Sequence, residues 1–193
     1  MNIAIIKYNA GNIKSVSNAL QQLGVNHAIT DNADEIRASD KVIFPGVGEA
    51  STTMAYLKSK NLDLLIRELK QPVLGICLGM QLMCSYSEEG DTLCLGIFDQ
   101  PVKRFAGDLK IPHMGWNSLA ETRKPLLADL PEHSFVYFVH SYYVPACRDA
   151  AAITYYGIPF SAALQKDNFF ATQFHPEKSG DTGAQILKNF LSL

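Results

Sequence analysis

The sequence lacks the features of a nucleic-acid-binding or membrane protein. Its 17 Lys and Arg residues are balanced by 19 Asp and Glu residues, and no basic run stands out. Because bulk binding to a phosphate backbone needs clustered positive charge, this balance argues against a nucleic-acid partner. No apolar run approaches the roughly 20 residues that span a bilayer. The start of the chain, Met1 to Lys7, predicts a buried strand rather than a signal peptide.

The few cysteines form neither a metal site nor a disulfide framework. Cys77, Cys84, Cys94 and Cys147 show no paired spacing, so we predict no metal, no cofactor and a reduced, cytoplasmic setting. The G-x-G-x-x-G fingerprint is also missing, which excludes a dinucleotide site. A length of 193 residues predicts one domain, 1–193, with room for a sizeable core.

What the sequence does contain is a cysteine between two glycines, directly after an apolar run. Val73 to Ile76 predicts a fully buried strand, Cys77 lies between Gly75 and Gly79, and an amphipathic segment follows over 80–86. This is the nucleophile elbow, a turn so tight that only glycine fits on either side of the nucleophile. At a helix N-terminus the sulfur would favour the thiolate. The alternative is a buried core cysteine, the usual fate of a lone cysteine.

A candidate base lies near the C-terminus. His175 follows an apolar segment, 168–174, that predicts a strand, and Glu177 comes two residues later, beyond Pro176. A cysteine nucleophile needs an imidazole to hold the thiolate and to protonate the leaving amine, and a carboxylate to set the imidazole tautomer. Taken alone, His-Pro-Glu is more typical of a surface turn. Together with Cys77 it indicates a Cys-His-Glu triad.

The elbow and the late His-Pro-Glu together resemble the class I (triad) glutamine amidotransferases. Further stretches resemble, in order and from Met1 to Leu193, the glutaminase subunits of imidazole glycerol phosphate synthases. These stretches are Pro-Gly-Val-Gly at 45–48, Ser-Glu-Glu-Gly at 87–90, Pro-His-Met-Gly-Trp-Asn at 112–117, Tyr-Phe-Val-His-Ser-Tyr at 137–142 and Phe-His-Pro-Glu-Lys-Ser at 174–179. The elbow and His-Pro-Glu specify only the superfamily, whereas the first and third stretches point to the subunit.

The resemblance implies a flavodoxin-like α/β fold, a doubly wound mixed sheet flanked by helices. Periodicity agrees with it: strands are predicted at 3–7, 27–30 and 41–44, and helices at 13–23, 33–38, 51–60, 62–70 and 182–191. Four later β segments, at 95–105, 112–119, 135–144 and 151–156, predict an antiparallel extension of the same sheet.

The loop Gly46-Val47-Gly48 is predicted to form the oxyanion hole together with Leu78. Its two glycines allow the peptide planes to turn, so that one backbone N–H could point at a developing oxyanion beside the Leu78 N–H. An ordinary strand-to-helix turn is the alternative. We hypothesise that the loop rests with a carbonyl facing inward and flips only when a partner signals.

Three residues are predicted to bind the substrate. Gln81, one helical turn after Cys77, could hold the amide or the α-carboxylate of glutamine, although a buried polar side chain needs some partner anyway. By resemblance, the backbone around Ser141 and Tyr142 fixes the α-amino and carboxylate ends. Ser141 is a rival nucleophile, but it lacks an elbow.

The resemblance further implies a partner, the (β/α)8-barrel cyclase subunit of the synthase. The candidate contact residues are Asn12, Trp116, Tyr137 and Lys178. A helix cap, a core position and a solvated charge are the alternatives for Asn12, Trp116 and Lys178, respectively.

The implied activity is hydrolysis of L-glutamine to glutamate and ammonia. The cyclase would use the ammonia to make imidazole glycerol phosphate and AICAR phosphate in histidine biosynthesis. Three alternatives remain open at this point: a glutaminase that feeds another synthase, for example in surface-sugar amidination, a cysteine peptidase of related fold, and a binding module with an inactive triad.

Overall fold

The computed structural model describes residues 1–8 and 13–193, which are built around a seven-stranded sheet. The strands are β1 (Ile3–Ile6), β2 (His27–Thr30), β3 (Lys41–Phe44), β4 (Val73–Ile76), β5 (Tyr86–Ser87), β6 (Thr92–Leu93), β7 (Pro101–Arg104), β8 (His113–Ser118), β9 (Phe135–His140), β10 (Tyr142–Tyr143), β11 (Ala150–Tyr156), β12 (Ile158–Lys166) and β13 (Phe169–Thr172). The helices are α1 (Ile13–Gln22), α2 (Ala33–Ala38), α3 (Ala50–Ser59), α4 (Leu62–Glu68), α5 (Leu78–Met83) and α6 (Gly180–Leu191), and a 3₁₀ turn covers Pro176–Lys178. Within the described ranges, no helix has the length and apolar character needed to cross a membrane.

The main sheet has the order β11-β12-β13-β4-β3-β1-β2. Its five strands from β13 to β2 are all parallel, and helices connect them, as in a doubly wound fold. Every residue of β1, β3, β4 and β13 is buried, as expected for parallel strands that are covered on both faces. The predicted mixed sheet flanked by helices is confirmed.

The antiparallel part differs from the prediction in its composition. The extension of the main sheet consists of β12 and β11, and β12 was not predicted. Segment 95–105 instead supplies β7 to a separate four-stranded sheet, and segment 112–119 supplies β8. Segment 135–144 divides into β9, which pairs with β8, and β10, which pairs with β7. The helix after Cys77 is also shorter than predicted, because Tyr86 already pairs with β6. Alternation of apolar residues predicts strands, but it does not say which strands pair.

Two apolar cores cover the two faces of the main sheet. Alternate residues of β1, β3 and β4 enter different cores: Phe44 packs with residues of α3, α4 and α5, whereas Ile43 packs with residues of α1, α6 and β9. This arrangement puts β8 and β9 on the same side of the sheet as α1 and α6.

The second core contains a buried pair of histidines. His140 Nδ1 lies 2.7 Å from the carbonyl oxygen of Tyr142, and His140 Nε2 lies 2.9 Å from His113 Nδ1. Because a carbonyl can only accept, His140 carries its proton on Nδ1, and its Nε2 accepts from His113. His113 Nε2 in turn accepts from the amide of Asn117, 3.3 Å away. One proton on each imidazole is therefore enough to make all three hydrogen bonds.

The protein environment keeps both rings neutral. Burial lowers the pKa of His113 to about 4. Burial is also the main cause that lowers the pKa of His140 to about 3; the hydrogen bond to Tyr142 opposes it, and His113 and His175 add smaller lowering contributions.

We predict that the free energy of unfolding falls as the pH is lowered from 6.5 towards 4. In the unfolded chain both imidazoles titrate near 6.5, whereas in the folded protein their pKa values are about 4 and about 3. The unfolded chain therefore binds up to about two more protons in this window, which favours unfolding. Urea unfolding at half-unit pH steps measures the slope. The variant His113→Asn keeps a donor for His140 but removes one titrating ring, so its slope should correspond to about one fewer proton taken up on unfolding. An unchanged slope would contradict the assignment.

Candidate active site

Cys77 lies on the sharp turn between β4 and α5. Its backbone angles, φ 54° and ψ −106°, are rare for a residue with a side chain. The two elements approach closely on either side of this turn. A Cβ on Gly75 would lie 2.8 Å from the sulfur of Met83, and a Cβ on Gly79 would overlap the carbonyl oxygen of Phe44. Glycine is thus required at position 79, and at position 75 a Cβ would also crowd the backbone of Gly79 and Met80 at 3.0 Å, as the elbow motif predicts.

His175 and Glu177 form a buried pair next to this turn. His175 Nδ1 lies 2.8 Å from Glu177 Oε1, and both side chains are inaccessible to solvent. The imidazole also interacts with Cys77. Since Nδ1 is engaged by the carboxylate, Nε2 is the nitrogen available to the sulfur. The structure therefore brings the three predicted triad residues together.

Opposing effects set the charge of this imidazole. Burial alone would lower the pKa of His175, but the negative charges and hydrogen bonds of Cys77 and Glu177 outweigh burial and raise the pKa to about 10. The ring is therefore held as a cation near neutral pH, beside a sulfur that can carry the matching negative charge.

The predicted oxyanion loop faces the elbow, but its donor is in use. The Leu78 N–H donates to the carbonyl oxygen of Gly46 at 3.3 Å. Val47 and Gly48 line the space beside Cys77, and Gly48 has a φ of 146°. The inward carbonyl of Gly46 agrees with the hypothesis of a resting loop that must turn before it can hold an oxyanion.

Tyr8 holds the start of this loop. The buried Tyr8 hydroxyl donates to the carbonyl oxygen of Pro45, and a Cβ on Gly46 would collide with the same hydroxyl. Burial, with a contribution from Cys77, raises the pKa of Tyr8, so the phenol keeps its proton as the donor. This contact could not be predicted from local patterns, because Tyr8 and Pro45 are 37 residues apart.

A cavity of about 310 Å³ opens beside Cys77. Three predicted groups of residues line it: the loop residues Val47 and Gly48, the elbow residues Cys77 and Leu78, and the substrate residues Gln81, Ser141 and Tyr142.

Glu89 lines the same cavity and was not predicted as a site residue. It lies in the Ser-Glu-Glu-Gly stretch, which served only to support the resemblance. Its carboxylate accepts a hydrogen bond of 2.8 Å from the Ala50 N–H, and burial raises its pKa. A carboxylate at this position complements the ammonium group of an amino acid.

The amide of Gln81 is oriented by its neighbours. Gln81 Nε2 donates to the carbonyl oxygen of Tyr142 at 3.1 Å and to Gln173 Oε1 at 3.0 Å. The acceptor Oε1 is the group left for a ligand, which suits an ammonium or amide N–H better than a carboxylate. Gln173 was missed as well. It stands two residues before His175, at the end of the strand predicted over 168–174, and this position is a sequence signal that could have identified it.

The predicted partner residues lie at the surface, apart from Asn12, which falls outside the described residues. Trp116 is 56% exposed, which excludes the core alternative, and its ring is 6.0 Å from that of Tyr137 on the neighbouring strand. Met114 and Phe135 are 61% and 58% exposed. We call these four residues the β8–β9 face. Lys178 is also exposed.

The β8–β9 face lies directly behind the triad. The carbonyl of Tyr137 accepts the backbone N–H of His175 at 2.9 Å. Two residues further along β9, the carbonyl oxygen of Val139 lies 3.9 Å from Cys77 Sγ. A contact on the outside of β9 is therefore one strand away from the reacting groups.

Comparison with known proteins agrees with this geometry. The family model of the class-I glutamine amidotransferases matches residues 4–193. The imidazole glycerol phosphate synthase subunit HisH of Bacteroides fragilis (strain YCH46) is 61% identical over 196 residues, and that of Yersinia pseudotuberculosis is 45% identical, each covering 100% of both chains.

Two solved structures share the fold. A glutamine amidotransferase has a TM-score of 0.76 at 16% identity, with 98% of this chain and 97% of the other covered. PurLQS from Thermotoga maritima has a TM-score of 0.72 at 14% identity, covering 99% and 97%. From the family match and the full-length relatives, the chain belongs to the class-I glutamine amidotransferases and, among them, to the HisH subunits of imidazole glycerol phosphate synthase.

Proposed function

We propose that this chain, as one domain over 1–193, hydrolyses L-glutamine and supplies the ammonia to a cyclase subunit for histidine biosynthesis. The observation that carries the glutaminase activity is the buried Cys77–His175–Glu177 arrangement at the edge of a cavity. The assignment to histidine biosynthesis is supported by the full-length similarity to HisH subunits.

In the proposed reaction, the Cys77 thiolate attacks the side-chain amide carbon of glutamine. The imidazolium of His175 gives its proton to the departing ammonia, and Glu177 keeps the ring in the tautomer and orientation for this transfer. Neutral His175 then takes a proton from the water that attacks the glutamyl thioester. Cleavage of the carbon–sulfur bond releases glutamate and restores the thiolate–imidazolium pair.

The substrate is oriented by other groups that line the cavity. The carboxylate of Glu89 and the Oε1 of Gln81 are acceptors for the α-ammonium group. The backbone around Ser141 and Tyr142 is proposed for the α-carboxylate, as the family resemblance implies. The side chain of glutamine would then extend from the groups that bind its α-ammonium and α-carboxylate to Cys77.

Activity requires the oxyanion loop to change. In the structure the Leu78 N–H is bonded to Gly46 instead of facing the cavity. Loss of one oxyanion donor typically costs a factor of about 10² to 10³ in rate. The resting subunit should therefore be slow, and a partner that draws the Gly46 carbonyl away would accelerate it.

The proposed docking surface for the cyclase is the β8–β9 face. Ammonia released into water at neutral pH would be protonated and lost, so a synthetic role needs a shielded path into a partner. The face is apolar and aromatic, which is typical of interface centres, and it lies behind the triad. We propose a cytoplasmic heterodimer with a (β/α)8-barrel cyclase, a setting that keeps the Cys77 thiol reduced.

We predict that the purified chain releases glutamate slowly and that the cyclase subunit with its nucleotide substrate stimulates it by at least about 10², because the Leu78 donor becomes available. Glutamate release is measured with and without the partner, and Cys77→Ala serves as the control that abolishes both rates. Fast release without a partner would contradict the gated loop. Cys77-dependent release that the cyclase fails to stimulate would point to a different acceptor synthase.

We predict that Trp116→Ala weakens binding of the cyclase by about 2 kcal/mol or more, since exposed tryptophans at interface centres act as hot spots. Leu64→Ala is the matched control, because Leu64 is similarly exposed at 55% but belongs to α4 on the other side of the sheet. Titration calorimetry gives both dissociation constants. Equal affinities for the two variants would place the interface elsewhere.

A further inference from the structure

The buried Gln173 reaches the sulfur of Cys77. Its side chain is inaccessible to solvent, and its Nε2 lies 3.7 Å from Cys77 Sγ. It follows directly after β13, where its backbone N–H donates to Ala162 at 2.8 Å. The imidazole of His175, two residues later, also interacts with Cys77. One segment therefore presents both Gln173 and His175 to the nucleophile.

Neighbouring groups dictate which end of the Gln173 amide faces the sulfur. The carbonyl oxygen of Tyr142 can only accept, so Gln81 must direct its Nε2 towards it. The same nitrogen then meets Gln173, which must present Oε1 to it, at 3.0 Å. The remaining group of Gln173, the N–H donor, is left pointing at Cys77 Sγ. The carbonyl oxygen of Tyr142 thus determines the orientation of the Gln81 amide and, through it, that of the Gln173 amide.

We propose that Gln173 is a further catalytic residue, which donates a hydrogen bond to the Cys77 thiolate. The inference rests on the glutaminase activity proposed above. A buried thiolate gains strongly from a donor, because hydrogen bonds to charged groups are the strong ones and few waters can replace them. Cys77 as a whole is only 7% exposed, so few waters reach its sulfur.

The role of Gln173 differs from that of His175. The proton of His175 moves during the reaction, since it goes to ammonia and is regained from water. The amide N–H of Gln173 is never transferred, so it remains a donor throughout. It stabilises the thiolate before attack and again when the sulfur leaves the thioester.

The test is the pH dependence of Cys77 alkylation by iodoacetamide, followed on the Cys77 peptide by mass spectrometry. Gln173→Glu keeps the shape and an acceptor for Gln81 but replaces the donor by a carboxylate, and Gln173→Met removes the donor without adding charge. We expect the alkylation midpoint to rise by about one pH unit or more, most in Gln173→Glu. In the complex with the cyclase, kcat should fall at least about tenfold while KM changes less than about threefold.

The exposed Gln22→Glu is the matched control for an added carboxylate, and it should leave the midpoint and kcat unchanged. A spectroscopic measurement needs no variant: in the unmodified protein, the side-chain amide NMR signals of Gln173 should shift as Cys77 titrates.

An unmoved alkylation midpoint, or amide signals that ignore the titration, would overturn the role of Gln173. Failure of the glutaminase proposal looks different, because the unmodified protein would then release no glutamate even with the cyclase.

Discussion

The close approach of α5 to β3 is the constraint on which the site depends. Gly79 lies against the carbonyl of Phe44 at a distance that leaves no space for a Cβ. This contact forces the chain to turn sharply at Cys77, which takes up a positive φ. The same close approach places the N–H of Leu78 within hydrogen-bond distance of the carbonyl oxygen of Gly46. The strain at the nucleophile and the resting state of the oxyanion loop therefore have one steric origin.

A second organising point is the carbonyl oxygen of Tyr142, where two hydrogen-bonded chains meet. One chain runs from Asn117 through the two buried histidines, and the other runs through Gln81 and Gln173 to the sulfur of Cys77. Both donate to the same oxygen, which uses both of its lone pairs. Asn117 belongs to β8, next to the exposed Trp116, so these chains connect the β8–β9 face with the nucleophile through side chains of fixed orientation.

The sequence was sufficient for features that depend on neighbouring residues. The parallel strands, the elbow glycines and the His175–Glu177 pair each follow from a short pattern with a local physical cause. Features set by contacts across long sequence separations could not be predicted. The pairing of β8 with β9, the bond from Tyr8 to Pro45 and the approach of Glu89 to the cavity depend on the complete fold. Gln173 lies between these cases, because the spacing to His175 was visible but its partner Gln81 is 92 residues away.

The arrangement explains how a reactive thiolate can be kept without wasting glutamine. The base is ready, since Cys77 and Glu177 already hold the imidazole of His175 as a cation. The proposed oxyanion donor, the Leu78 N–H, is not ready, because it is bonded to the carbonyl oxygen of Gly46. Control of the reaction is thus assigned to a backbone carbonyl and not to the nucleophile. In the proposed control, a peptide plane that only has to rotate responds to docking on the adjacent surface, and docking itself need not change the buried charges.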